Sequence, residues 1–192
     1  MHKSRLEAFS DGVLAIIITI MVLEMKVPHG DPSWSALVPI LPLFLSYLLS
    51  FVYLGIYWNN HHHLLQAAHK VDGPVLWANL HLLFWLSLLP FASGWMGENR
   101  FAAVPVFLYG VDMLGAAVAY FLLSKALVRL HGEGSTLARA VGRDRKGMVS
   151  LAAYLAALLL AYPFPWAAVA LYVAVAVLWV VPDKRIERAM AD

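Results

Sequence analysis

Five long stretches of apolar residues alternate with short polar segments along this chain. They cover residues 9–27, 36–58, 74–95, 101–124 and 148–181. A helix of about 20 apolar residues spans the hydrocarbon layer of a membrane, so each of the first four stretches predicts one such helix. The fifth is too long for one span and contains Pro163 and Pro165, which remove backbone donors and favour a turn. We therefore predict six membrane-spanning helices, the last two at 148–162 and 166–181.

The composition also indicates a membrane protein. Of the 192 residues, 61% are hydrophobic and 14% are charged, whereas about a quarter of the residues of a soluble domain are charged. The mean hydropathy is +0.71. The chain has no cysteine, which excludes disulfides, thiolate metal sites and a cysteine nucleophile. The predicted fold class is an all-α membrane protein, with a single domain of six transmembrane helices over residues 1–192.

Basic residues are divided unevenly between the two sides of the predicted membrane domain. If the N-terminus is cytoplasmic, only Lys26 and Arg100 lie outside. The twelve others lie inside, as the positive-inside rule requires: Lys3, Arg5, Lys70, Lys125, Arg129, Arg139, Arg143, Arg145, Lys146, Lys184, Arg185 and Arg188. We therefore predict a multi-pass protein with both termini in the cytoplasm, and a short amphipathic helix over 136–141 in its largest basic loop.

The first predicted helix has two different faces. At 100° per residue, one line along the helix collects a mostly apolar set: Arg5, Phe9, Gly12, Ile16, Ile20, Leu23 and Val27. Ser10 and Asp11 point away from this line, and Thr19 lies at its edge. A carboxylate inside a membrane needs a partner, so we expect Asp11 to face the other helices of its own subunit. The apolar line then faces lipid, a neighbouring subunit or a pore.

The start of this helix carries a recognisable motif. The pattern R-x-x-x-F-S-D at Arg5, Phe9, Ser10 and Asp11 resembles the signature of the prokaryotic homologues of the endolysosomal potassium channel called transmembrane protein 175. The resemblance implies a homotetrameric cation channel in the plasma membrane of a bacterium. Potassium and other monovalent cations would be its permeant ions, with no cofactor and no nucleic-acid partner.

The same resemblance implies where the pore lies. In that family the first helices line the pore, and bulky aliphatic side chains form its constriction. The position five residues beyond the motif aspartate is Ile16, which is the family's match for the main constriction. Ile20 and Leu23 lie on the same line, so fourfold packing would stack three aliphatic rings. Gly12 and Thr19 would flank the pore.

Polar residues at the cytoplasmic ends of the first three predicted helices lie at one depth. They include Ser10 and Asp11 of the first helix, Trp58, Asn59, Asn60, His61, His62 and His63 of the second, and Trp77, Asn79 and His81 of the third. Without water such groups must bond to each other. We expect a clamp that holds the first helix, with Asp11 accepting from a histidine, asparagine or tryptophan. The resemblance implies histidine and tryptophan partners, for which we choose His61, His81 and Trp77.

Three classes of function compete. An enzyme needs a nucleophile with its base, or a metal cluster, and the sequence offers neither. Adjacent histidines in a helix point 100° apart, so at most one or two of them could bind the same metal ion. A proton- or metal-ion-coupled transporter could use Asp112, near the middle of the fourth span, together with the histidine cluster. A channel needs a selectivity device, and the carbonyl filter sequence T-V-G-Y-G is absent. A channel with an apolar constriction is the preferred interpretation.

Overall fold

The computed structural model describes residues 2–29, 32–132, 134–142 and 144–180, and this part of the chain is helical. Seven α-helices occur in it: α1 Lys3–Leu23, α2 Leu41–Gln66, α3 Gly73–Glu98, α4 Ala103–His131, α5 Thr136–Val141, α6 Arg145–Leu160 and α7 Pro165–Val180. A 3-10 helix, Trp34–Ile40, leads directly into α2. The all-α prediction is confirmed for the described residues. Arg143, Val181, Lys184, Arg185 and Arg188, which entered the sequence-based predictions, lie outside them.

Four of the helical segments are long and apolar enough to cross a membrane. They are Lys3–Leu23, Trp34–Gln66, Gly73–Glu98 and Ala103–His131. Helices α6 and α7 have 16 residues each, which corresponds to about 24 Å of helix, less than the hydrocarbon thickness of about 30 Å. By length and hydropathy, the structure therefore supports four of the six predicted spans.

Several helices begin or end at residues other than those predicted from the sequence. Helix α1 begins at Lys3 instead of residue 9, so the whole motif is helical, and a salt bridge of 3.4 Å from Lys3 to Glu7 supports its first turn. It ends at Leu23, which places Val27 outside the helix. Helices α2 and α4 continue to Gln66 and His131. Both extensions contain polar or charged residues, and the thickness of the membrane limits only the length of the apolar part of a helix.

Two local predictions about the second half of the chain agree with the structure. The last apolar run is broken at 161–164, which contains Pro163, and α7 begins at Pro165; α6 and α7 pack against each other as a hairpin. Trp179 donates to Ser150 at 2.8 Å across this pair. The short helix α5 occupies Thr136–Val141, and the Ser135 side chain caps it by accepting from the backbone N–H of Ala138 at 3.1 Å.

The core forms where α3 packs on α4, α2 packs on α3, and the α6–α7 hairpin packs on α4. Buried tyrosines cross-link these layers: the Tyr53 hydroxyl of α2 donates to the backbone oxygen of Tyr172 in α7 at 2.6 Å. The Tyr172 hydroxyl in turn donates to the carbonyl of Val106 in α4 at 3.1 Å. Helix α1 lies at the edge of this bundle, against α2 and α3.

Gly97 gives a test of the α2–α3 crossing. A Cβ at Gly97 would lie 2.5 Å from Leu43 Cα and would also overlap the Ser46 hydroxyl, whereas one at Gly55 has nothing within 4 Å. We expect Gly97→Ala to destabilise the protein by about 1–3 kcal/mol through overpacking. The matched Gly55→Ala should be neutral or stabilising by up to about 1 kcal/mol, because alanine is the better helix former. Thermal unfolding of the purified variants in detergent measures both; equal melting temperatures would contradict the crossing.

Candidate functional site

Helix α1 has one packed face and one uncovered face. Leu6, Ser10, Leu14, Ile17 and Met21 are buried, at spacings of four, four, three and four residues. On the other side, the exposed fractions are 58% for Ile16, 43% for Ile20 and 76% for Leu23, against 5% for the neighbouring Ile17. Phe9, Arg5 and Gly12 are also exposed. The apolar line seen in the sequence is therefore a surface that the described chain leaves uncovered.

A buried chain of hydrogen bonds fixes the rotation of this helix. Nε2 of His61 in α2 lies 2.7 Å from Oδ1 of Asn79 in α3, and Nδ2 of Asn79 donates to the Ser10 hydroxyl of α1 at 3.0 Å. Because an amide oxygen only accepts, the His61 ring donates through Nε2. All three side chains are buried. Breaking one of these bonds would strand a polar group without water.

Asp11 lies beside this chain and bonds to another partner. Trp58 of α2 donates its indole N–H to Oδ1 of Asp11 at 3.1 Å, and the Trp58 ring stacks on His62 at a centroid distance of 6.1 Å. Asp11 is exposed in the subunit, whereas we expected it to be enclosed by its own helices. The partner is a tryptophan, one of the three donor types expected, and it comes from α2.

None of the three residues chosen as partners bonds to Asp11: His61 reaches α1 through Asn79 and Ser10, and the other two lie elsewhere. His81 is exposed, and its Nε2 accepts from Trp85 of its own helix at 3.0 Å; Trp77 is 75% exposed. Each is two residues from Asn79, which turns it by about 200° on the helix. The inward line of α3 contains Val75, Asn79, Leu82 and Leu86. That spacing is visible in the sequence and could have identified Asn79 as the residue that faces α1.

The uncovered face of α1 continues into a groove against α3. Its volume is about 660 Å³, and its walls include Ile16, Ile20, Phe91 and Trp95. Glu24 and Glu98 lie at the end where both helices stop. Thr19, next to the groove, donates its hydroxyl to the carbonyls of Ala15 and Ile16, each at 3.0 Å. The surface is apolar along the helix and acidic at one end.

The residues that would serve a transporter do not assemble into a site. Asp112 is 3% exposed, and neither of its carboxylate oxygens has a hydrogen-bond partner among the described residues. No serine or tyrosine hydroxyl of a described neighbouring helix pairs with it. The three adjacent histidines make separate contacts: His61 bonds to Asn79, His62 stacks on Trp58, and the His63 ring lies edge-on to His62 at a centroid distance of 5.7 Å. Within the described ranges, no three histidine, aspartate or glutamate side chains are placed to hold a metal ion.

Comparisons with known proteins agree with one another. A family model described as endosomal/lysosomal potassium channel TMEM175 matches residues 5–90. A potassium channel from Chryseobacterium sp. (strain P1-3) is 53% identical over 192 residues, covering 100% of both chains. The endosomal/lysosomal proton channel TMEM175 of Bos taurus is 32% identical over an alignment of 182 residues, and the match covers 84% of this chain and 37% of that protein.

A solved structure matches the whole fold. It is the crystal structure of a lysosomal potassium-selective channel TMEM175 homolog from Chamaesiphon minutus, with a TM-score of 0.81 and 28% sequence identity. The match covers 93% of this chain and 96% of that one. The similarity therefore extends well beyond the motif at the start of α1.

The buried chain can be tested with one pair of serine variants. Ser10→Ala removes the acceptor of Asn79 Nδ2, and we expect it to lower the free energy of unfolding by about 1–3 kcal/mol. Ser87 is the matched control, because it is exposed and bonds only to the Phe84 carbonyl of its own helix. Ser87→Ala should change stability by less than about 0.5 kcal/mol. Denaturant unfolding of both variants decides, and equal effects would contradict a structural role for this chain.

Proposed function

Since this chain belongs to the TMEM175 family of potassium channels, we propose that it forms a homotetramer whose four α1 helices line a central, potassium-permeable pore. The single observation that carries the proposal is the uncovered apolar face of α1. A lipid-facing helix would satisfy the same hydropathy, but α1 also holds a buried polar chain on its opposite side. The polar chain fixes the rotation of α1 about its own axis, and a helix that lines a pore requires a fixed rotation.

The constriction is assigned to Ile16, with Ile20 and Leu23 forming two further rings. These three residues follow at spacings of four and three, so their side chains share one line of the helix. Their exposure in the single subunit supports a position at the pore axis. Narrow rings of aliphatic side chains exclude water, and a dewetted segment blocks a hydrated cation. The constriction would therefore act both as a gate and as the narrowest point for permeant ions.

Ion selection in this proposal does not use backbone carbonyls of a filter loop. The sequence contains no T-V-G-Y-G segment, so discrimination between ions has to come from the width of the constriction and from Thr19. The Thr19 hydroxyl donates to its own helix, which leaves oxygen lone pairs for a passing cation. Potassium loses its hydration shell at a lower energetic cost than smaller cations do. We infer that potassium permeates together with other monovalent cations.

The motif residues serve the pore indirectly. Ser10, through Asn79 and His61, holds the rotation of α1, and Asp11, through Trp58, holds its edge against α2. Arg5 and Phe9 lie on the exposed face and would contact the neighbouring subunit. In this view the motif determines which residues reach the axis, and the aliphatic residues after it determine what passes.

The proposed placement is a bacterial plasma membrane, with six spans and both termini in the cytoplasm. Helices α6 and α7 are short, but their hairpin packs along α4 and α2, which are long enough to cross. Membership in a family of ion channels excludes an enzyme. The transporter alternative is not retained, because Asp112 and the histidines form no common site and the relatives are channels.

If Ile16 forms the constriction, the same substitution should have different effects at Ile16 and at its neighbour Ile17. Ile16→Asn places four polar side chains in the constriction, where they hold water, and we expect basal potassium flux to rise by about tenfold or more with weaker potassium-over-sodium preference. Ile17→Asn buries an unpaired amide in the subunit, and it should instead destabilise the protein by about 1–3 kcal/mol. Fluorescent flux assays on reconstituted vesicles and thermal unfolding measure the two effects. If Ile16→Asn is silent while Ile17→Asn alters selectivity, α1 has a different rotation.

The topology can be checked by labelling, because the chain has no native cysteine. Asn99→Cys lies between α3 and α4, and Gly134→Cys between α4 and α5. With a cytoplasmic N-terminus, a membrane-impermeant thiol reagent should label Asn99→Cys in intact cells and Gly134→Cys only after permeabilisation. The reverse pattern would invert the proposed orientation.

A further inference from the structure

His131, the last residue of α4, bonds to the chain between α2 and α3. Its Nδ1 lies 2.9 Å from the carbonyl oxygen of Leu127. Its Nε2 accepts from the backbone N–H of His69 at 3.0 Å and of Lys70 at 3.3 Å. A carbonyl oxygen only accepts and a backbone N–H only donates. The proton must therefore lie on Nδ1 and the lone pair on Nε2, so this arrangement requires a neutral imidazole.

We propose that His131 is a pH-operated latch that holds the α2–α3 connection, residues 67–72, against the end of α4. A second proton on the ring would sit on Nε2 and face two N–H groups, which cannot accept it. Histidine is the side chain that changes charge between about pH 5 and pH 8. Because only the neutral ring makes these bonds, their contribution is complete at the higher pH and is lost as the pH falls.

The charges around the ring favour opening once it is protonated. The α2–α3 connection presents the His69 ring, 6.1 Å away between centroids, and the basic residue Lys70. The last turn of α4 itself carries Arg129, and α5, which packs on α4, carries Arg139. The connection also carries Asp72, whose carboxylate caps α3 by accepting from the backbone N–H of Val75 at 3.0 Å; Glu133 lies outside the described residues.

The segment next to the latch also contacts α1, the helix proposed to line the pore. The carbonyl oxygen of Leu65, just before the connection, accepts from Nζ of Lys3 in α1 at 3.0 Å. The backbone N–H of Ala68 bonds back to the same carbonyl at 2.9 Å. One short segment thus contacts the end of α4 on one side and the start of α1 on the other. Release of the latch should loosen the anchor of α1 and change the potassium flux; this part alone rests on the proposed function.

Amide hydrogen exchange of the full chain in lipid nanodiscs tests the latch directly. Between about pH 8 and about pH 5.5, we expect exchange in the peptide covering 67–72, corrected for the intrinsic rate, to rise by about tenfold. His131→Gln keeps an acceptor oxygen that does not titrate, so its protection should not depend on pH. His131→Leu has no acceptor and should exchange fast at both pH values. His69→Gln is the matched control: it keeps the backbone N–H that bonds to Nε2 of His131 and removes only the neighbouring ring, so the acid-induced rise should persist in it.

Three results would overturn the inference or part of it. Equal acid sensitivity of the wild type and His131→Gln, or none in the wild type, would remove the latch. Acid-induced exchange that follows the prediction, with a potassium flux independent of pH, would remove the connection to α1. A protein that conducts no potassium at any pH would refute the proposed function and leave the exchange result valid. The supporting result is pH-dependent flux that disappears in His131→Gln and persists in His69→Gln.

Discussion

The hydrogen-bonded chain from Ser10 through Asn79 to His61 determines the rotation of α1, and the other features of the proposed pore depend on that rotation. A change of one residue in register would turn the helix by 100°. Ile17 would then leave the core and Ile16 would enter it. Buried polar groups are costly to leave unpaired, so this chain opposes such a rotation more specifically than the apolar contacts around it, which tolerate exchange of one aliphatic side chain for another.

The remaining helices form the frame against which this rotation is fixed. Backbones approach closely where glycine permits, as at Gly97 beside Leu43, and where a ring lies over a glycine, as at Trp85 on Gly115. Tyr53 and Tyr172 bond across the layers to backbone carbonyls inside the bundle. These close contacts and hydrogen bonds form in only one relative arrangement of the helices. A packed α2–α3–α4 frame with a peripheral α1 would let the uncovered face meet the other subunits of the proposed tetramer without rearrangement of the core.

The end of the bundle that carries Lys3, Leu65 and His131 has a different character. Its contacts are single hydrogen bonds between exposed or half-buried groups, so they contribute little stability and open easily. The proposed latch at His131 requires this property, since a bond that holds the frame could not open without unfolding it. The bundle is thus tightly packed, while the end that carries the proposed latch is loosely held.

The sequence by itself determined the elements and their faces. Helical periodicity and proline positions are local properties, so the helical class, the break at 161–164, helix α5 and the outward direction of Ile16 against Ile17 all follow from residues close in the chain. Only the tertiary structure decided which polar groups meet. Asp11 bonds to Trp58, and Asn79 replaces His81, because the choice depends on how α2 and α3 are rotated relative to α1. Packing between distant residues, such as Gly97 on Leu43, sets those rotations, and no pattern within one helix contains that information.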